Sequence, residues 1–230
     1  MKNLSLISII LLSSLFKNTQ KEPFTYPTIT STGKTIAAFV PKGWKIKSKA
    51  IGDLNGDKTA DIALILEYRD TVSEIRSDHD TLTGNHPRVL VVLFKNGDNY
   101  NLAIQQNTFI LREHEGTGMG EDPYDEPEIT KGLLIINFQL LREHLQYKFR
   151  YQSNDFYLIG AEDHGVDHND LYGWSYNFLT KKAVHDSGES TENIKAKNKR
   201  EILTIPFINL KKLSELKQPF QWEVLKDVFI

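Results

Sequence analysis

The chain has 230 residues, of which 40% are hydrophobic and 25% charged, and its formal net charge at pH 7 is −2. A chain of this length and composition can bury a hydrophobic core and resembles neither a disordered nor a fibrous protein. The near-neutral charge gives no electrostatic reason to expect nucleic acid or an anionic membrane surface as a partner.

The first twenty residues have the pattern of a secretory signal peptide. Lys2 precedes an apolar run over 4–16, and polar residues 17–21 follow it. This run is short for a membrane span, so we expect a cleaved signal at 1–20, with an uncleaved anchor as the alternative. A single β-rich domain over 21–230, secreted or periplasmic and without an integral membrane domain, would remain. The chain has no cysteine, which excludes disulfides and a cysteine-linked lipid anchor.

Short runs rich in β-branched and aromatic residues recur between turn-forming clusters, which predicts a meander of strands. Connections this short leave no room for crossover helices, so neighbouring strands should pair antiparallel. The expected fold class is all-β, arranged as a sandwich, a barrel or propeller-like sheets. The spacing of Leu210, Leu213 and Leu216 predicts one short C-terminal helix. The predicted strands cover 35–40, 44–50, 62–68, 88–95, 100–107, 133–140, 145–151, 156–161, 173–178, 182–185 and 202–208.

A short loop between two predicted strands has the spacing of a calcium-binding loop. The run D-L-N-G-D-K-T-A-D covers 53–61 and places oxygen-bearing side chains at alternating positions. Ca²⁺ takes about six to eight oxygen ligands, which such a loop can supply. The candidate ligands are the side chains of Asp53, Asn55, Asp57 and Asp61 and the backbone carbonyl of Thr59. Leu64 stands where an EF-hand has its bidentate Glu, so this is not an EF-hand.

The arrangement strand, D-x-N-G-D-x-x-x-D, strand resembles the calcium loops of FG-GAP and VCBS-type repeats, over residues 49–67. The resemblance implies that Ca²⁺ is bound by the five residues of 53–61 named above. The family usually has Gly after the third ligand, whereas this chain has Lys58, whose positive charge should weaken the site. No second such motif occurs, which argues against a propeller of calcium-bearing blades. The alternative is a hairpin turn rich in Asp, Asn and Gly that binds no metal.

Three polar segments are long enough to carry function. We expect 69–87 to be an excursion from the sheet and 113–123 to be a β-connection that needs positive φ angles. The glycines of 113–123 are followed by acidic residues and prolines, which disfavours a phosphate-binding loop. Segment 162–170 holds two histidines and four carboxylates, which could ligate Zn²⁺ or act as acid and base. An exposed acidic loop is the expected structure of 162–170.

Two function classes follow from these patterns. The first is an exported calcium-binding β-domain that acts as a non-enzymatic binding or structural module for a protein or glycan partner. The second is a secreted hydrolase or hydrolase accessory with its site around His164, Asp167 and His168. The chain has no G-x-S-x-G motif and no cysteine, so we assign no catalytic residue and favour the binding module.

Overall fold

The structure is a computed structural model that describes residues 24–77, 80–116, 121–168, 170–189, 199–206 and 209–230. The expected signal peptide at 1–20 lies outside these residues. Strands account for about 58% of the structure and helix for 2%, and the sheets are antiparallel, which confirms the expected all-β class. Within the described ranges, no helix is long and apolar enough to cross a membrane.

The strands are numbered in chain order, and a 3-10 turn, Ile36–Phe39, lies between the first two. They are β1 (Thr32–Gly33), β2 (Trp44–Gly52), β3 (Asp61–Tyr68), β4 (Val72–Ser77), β5 (Asp80–Asn85), β6 (Arg88–Asn96), β7 (Asn99–Gln106), β8 (Glu128–Thr130), β9 (Leu133–Gln139), β10 (Glu143–Gln152), β11 (Asp155–Asp167), β12 (Asp170–Asn177), β13 (Lys182–Glu189), β14 (Lys199–Thr204), β15 (Glu223–Leu225) and β16 (Val228–Phe229).

Two open sheets form the body of the fold. The first has five strands in the order β1-β7-β6-β3-β2, and the second has seven in the order β14-β13-β12-β11-β10-β9-β8. The strands of the second sheet follow one another along the chain, which is the predicted meander. The hairpin β4–β5 is inserted between β3 and β6, which pair with each other, and β15–β16 form a separate small sheet.

The central strands of the five-stranded sheet are buried on both faces because two hydrophobic clusters flank them. In β3, Ala63 and Ile65 belong to a core shared with the seven-stranded sheet, and Leu64 and Leu66 belong to a second cluster. Residues that precede β2, including Phe39, cover this second face. The alternation follows the two-residue period of a strand. Of the architectures left open by the sequence, the shared core supports a sandwich.

Several predicted elements are wrong in their details. Residues 35–40 contain the 3-10 turn in place of a strand. Segment 69–87 leaves the sheet as expected, but it contains the two paired strands β4 and β5, and most of 162–170 belongs to β11 and β12. The predicted C-terminal helix is not present in the described residues. Around Leu213 the chain instead runs beside β11, since the Leu213 amide donates to the Phe156 carbonyl at 2.8 Å.

Candidate functional site

The candidate calcium loop is the connection between β2 and β3. Gly52 ends β2 and pairs with Asp61, which begins β3. Asp61 is fully buried, and its two carboxylate oxygens accept hydrogen bonds from the amides of Leu54 at 2.9 Å and Lys95 at 3.1 Å. Asp61 therefore joins the two ends of the loop and ties them to β6.

The remaining acidic and amide side chains of the loop bind its own backbone. Asp53 accepts hydrogen bonds from the amides of Gly56 at 2.7 Å and Lys58 at 2.9 Å. Asn55 accepts one from the Asp57 amide at 3.0 Å, and Asp57 accepts one from the Thr59 amide at 2.7 Å. These contacts are typical of turns in which Asp and Asn side chains replace backbone acceptors.

The loop environment shifts the pKa values of Asp57 and Asp61 in opposite directions. The hydrogen bond from the Thr59 amide lowers the pKa of the exposed Asp57. Burial raises the pKa of Asp61, and the hydrogen bonds from the amides of Leu54 and Lys95 oppose this rise. The negative charge of the nearby Asp57 raises the pKa further. The ionised form is therefore favoured at Asp57 and disfavoured at Asp61.

The donor set fits calcium in its chemistry, because the five candidate groups are oxygen donors and three of them are carboxylates. A carboxylate oxygen has two lone pairs, so one that accepts an amide hydrogen bond retains capacity for a cation. In the described part of the chain, however, no three His, Cys, Asp or Glu side chains are grouped as around a metal ion.

Lys58 occupies a backbone conformation that glycine adopts without strain. Its φ angle is +68°, in the left-handed region that costs an L-residue roughly 1–2 kcal/mol. Gly56, two residues earlier, has φ +84°. Lys58 therefore adds both backbone strain and a positive charge beside the candidate ligands.

The loop also forms one wall of a groove between the two sheets. The groove has a volume of about 640 Å³, and its other residues include Lys131, Arg150 and Tyr151 of the seven-stranded sheet. A Cβ on Gly52 would lie 2.5 Å from Ile129 Cγ2, so β2 and β8 pack in close contact beside the groove. Stiffening the loop would thus stiffen a surface built by both sheets.

The histidine-rich segment does not form the expected loop. His164 lies within β11 and His168 lies in the turn that follows, with φ +53°. Residues four apart along a strand are separated by about 13 Å, so these histidines do not converge on one metal ion. His164 Nε2 lies 3.4 Å from Glu162 Oε2 on the exposed face, and the side chain of Asp167 is not described.

The other two polar segments supply charges to buried ion pairs. Glu74 and Arg76 of the hairpin β4–β5 bind Arg112 and Glu115, respectively. Burial opposes the ionisation of Glu74, but Arg112, Tyr26 and Arg76 together outweigh it and keep the pKa of Glu74 below its ordinary value. These segments are therefore attached to the core through their charges. Residues 117–120 of the glycine-rich segment lie outside the described residues.

Sequence reasoning missed a carboxyl pair formed by Glu143 and Asp163 on adjacent strands. Burial, followed by the charge of Glu143, raises the pKa of Asp163 to about 7. The same two carboxylates and burial raise the pKa of the Tyr172 hydroxyl. These residues are twenty and nine positions apart, so only the register of β10, β11 and β12 brings them together.

Comparisons of the chain with protein-family models, curated proteins and solved structures found no match.

Proposed function

We propose that the chain is an exported calcium-binding β-domain that acts as a non-enzymatic binding or structural module. Its Ca²⁺ ligands are the side chains of Asp53, Asn55, Asp57 and Asp61 and the carbonyl of Thr59. The main support is that these residues share one turn whose buried end, Asp61, is bonded to β6 through the Lys95 amide. The signal-like pattern at 1–20 supports export.

Calcium would act by offsetting the mutual repulsion of the three carboxylates. The chain itself already holds the loop ends together through Asp61 and turns the backbone at Gly56. A cation that binds only the folded loop stabilises the fold by mass action, and extracellular modules typically bind Ca²⁺ at roughly 10⁻⁴ to 10⁻³ M. Such stabilisation suits a domain without cysteine.

The groove between the loop and the seven-stranded sheet is the proposed contact surface for a protein or glycan partner. Asn55 and Tyr151 line it with hydrogen-bonding groups, and Lys131 and Arg150 add positive charge. The ion would fix the loop wall of this groove and so reduce the entropy lost when a partner binds. The net charge of −2 gives no support for a nucleic acid partner.

Calorimetric titration of Ca²⁺ into the protein tests this function directly. We expect one saturable site in the wild type, loss of that site in Asp57→Ala, and retention in Asp70→Ala. Asp70 is an exposed acidic residue outside the loop, so its variant matches the charge change. Equal heats in all three proteins would show that the loop is not the site.

A secreted hydrolase or hydrolase accessory remains the alternative function. The observation that favours it is the contact between His164 and Glu162, a histidine and carboxylate pair on the exposed face. In this alternative, changing His164 and His168 to alanine removes turnover of a glycan, peptide or phosphoester substrate without lowering the melting temperature. Absence of turnover in the wild type across such a panel would leave only the binding module.

A further inference from the structure

Three side chains from adjacent strands meet above a glycine in the seven-stranded sheet. Gly165 of β11 pairs with Glu143 of β10 on one side and Tyr172 of β12 on the other. A Cβ on Gly165 would lie 2.5 Å from the Tyr172 hydroxyl oxygen, so the phenol crosses over the glycine. It thereby reaches Glu143 and Asp163. The structure thus brings a phenol and two carboxyl groups together.

Glu143 and Tyr172 line a groove of about 800 Å³, a size that suits a small organic group. Asp163 lies behind them and is 8% exposed, and its Oδ1 has no hydrogen-bond partner in the described part of the protein. The hydroxyl of the buried Tyr176, whose pKa is raised by burial and by Asp163, is likewise unpartnered there. Buried polar atoms without partners are rare in folded proteins and require an explanation.

Among the described residues, each of the other buried carboxylates is bound by an arginine or by backbone amides, and Asp163 is not. Glu67 binds Arg88, Glu74 binds Arg112, and Glu115 binds Arg76. Asp61 accepts two backbone amides. Asp163 faces a second carboxylate, Glu143, and no ion pair with a cation is formed by either group among the described residues.

The other charged groups of the described residues around the groove do not form an ion pair with Asp163 or Glu143. Arg142, which directly precedes β10, donates from its Nη2 to the carbonyl of His168 at 2.5 Å. From β12, Asp170 adds another carboxylate. From β13, His185 stacks on Trp174 with ring centroids 4.1 Å apart.

We infer that this groove binds a guanidinium group, supplied by an arginine side chain of a partner or by a free guanidino compound. A guanidinium is planar, pairs with carboxylates through parallel hydrogen bonds, and stacks on aromatic rings. Glu143 provides a carboxylate at the groove wall, Tyr172 and His185 provide the rings, and the buried Asp163 adds a second carboxyl group behind Glu143. A guanidinium is also the group that pairs with three of the other buried carboxylates, Glu67, Glu74 and Glu115. The inference does not depend on calcium.

The test uses methylguanidinium chloride, a Gly-Arg-Gly amide peptide and methylammonium chloride as probes, titrated at pH 8 and followed by amide NMR shifts. We expect saturable binding of the first two probes, with shifts at Gly165 and Tyr172 and weaker binding of methylammonium. Asp163→Asn and Glu143→Gln should each weaken binding about tenfold, whereas Asp70→Asn should leave it unchanged. Far-ultraviolet circular dichroism confirms that each variant is folded.

The two guanidinium probes also identify the source of the group. Tighter binding of the peptide assigns the groove to an arginine of a partner, and equal binding assigns it to a free compound. Absence of saturable binding by either guanidinium probe overturns the inference. Equal affinity in the wild type and in folded Asp163→Asn and Glu143→Gln variants also overturns it, as does methylammonium binding as tightly as methylguanidinium.

Discussion

The phenol of Tyr172 lies over Gly165, its cross-strand partner, and leaves no room for a side chain there. On the opposite face of the same two strands, His164 lies over Gly173, where a Cβ would be 2.9 Å from Nδ1. Each glycine therefore accepts an aromatic ring from the neighbouring strand. The difference is that Tyr172 contacts the half-buried Glu143 and the buried Asp163, whereas the His164 side chain is 50% exposed.

Gly165→Ala should destabilise the fold by about 1–3 kcal/mol, because the added methyl displaces a ring that is held between strands. Gly173→Ala is the matched control and should cost less than about 1 kcal/mol, since the exposed His164 can move into solvent. Urea denaturation of both variants measures the difference. Equal stability of the two variants would mean that Tyr172 is not held over Gly165.

Arg112→Met should cost about 3–5 kcal/mol, because it removes the main ion-pair partner of the buried Glu74 and leaves it the longer contact to Arg76 at 3.4 Å. Arg112 is fully buried, and its Nη2 and Nε lie 2.9 and 3.1 Å from the two Glu74 carboxylate oxygens. Adding Glu74→Gln should recover part of the lost stability, since the Glu74 charge that Arg112 neutralised is then absent. Chemical denaturation measures all three proteins, with the exposed Arg150→Met as control. A cost below about 1 kcal/mol for Arg112→Met would contradict this role.

Asp163→Asn should stabilise the protein more at pH 8 than at pH 5. The pKa of Asp163 is raised from 3.8 to about 7 by burial and by Glu143, so the folded chain retains a proton that the unfolded chain releases. Wild-type stability is therefore lost as pH rises between these values, and the variant escapes this loss. The melting temperatures of the variant and the wild type are compared at pH 5 and at pH 8. The difference between the two proteins should be larger at pH 8 by at least about 2 °C. The Asp70→Asn control should show the same melting-temperature difference from the wild type at both pH values. The same result for Asp163→Asn would contradict a raised pKa of Asp163.

Lys58→Gly should stabilise the loop by up to about 1 kcal/mol, because φ +68° is free of strain for glycine. Lys58→Gln keeps the strain and removes only the charge, so the two variants separate the two effects. Both should bind Ca²⁺ more tightly than the wild type, and only the first should raise the melting temperature in chelator. A lower melting temperature for Lys58→Gly would show that the strain is not relieved.

The sequence predicted the sheets best where strands are apolar and missed elements whose burial depends on charge. β3 and β6 are continuous apolar runs, which identify buried strands. The hairpin β4–β5 is polar, so its composition indicates a loop, yet Glu74 and Arg76 are buried through their ion pairs. Composition alone does not reveal such pairs, because the partner of Glu74 lies 38 residues away.

Site residues that are close in sequence could be predicted, whereas site residues that strand pairing brings together could not. The candidate calcium loop is local, so its five residues could be selected from spacing alone. The pair of Glu143 and Asp163 depends on the register of β10 and β11, and the acidic composition of 162–170 suggested a loop there. The spacing of Leu213 and Leu216 fitted a helix, but both side chains instead pack against the core from a non-helical segment.

The central claim is that loop 53–61 binds Ca²⁺, and thermal unfolding of the protein in chelator and in millimolar calcium tests it most directly. The account predicts a calcium-dependent rise of several degrees in the wild type and in Asp70→Ala, and none in Asp57→Ala. If the wild type melts at the same temperature in both conditions, the loop is a hairpin turn closed by its own hydrogen bonds and the proposed calcium function is wrong.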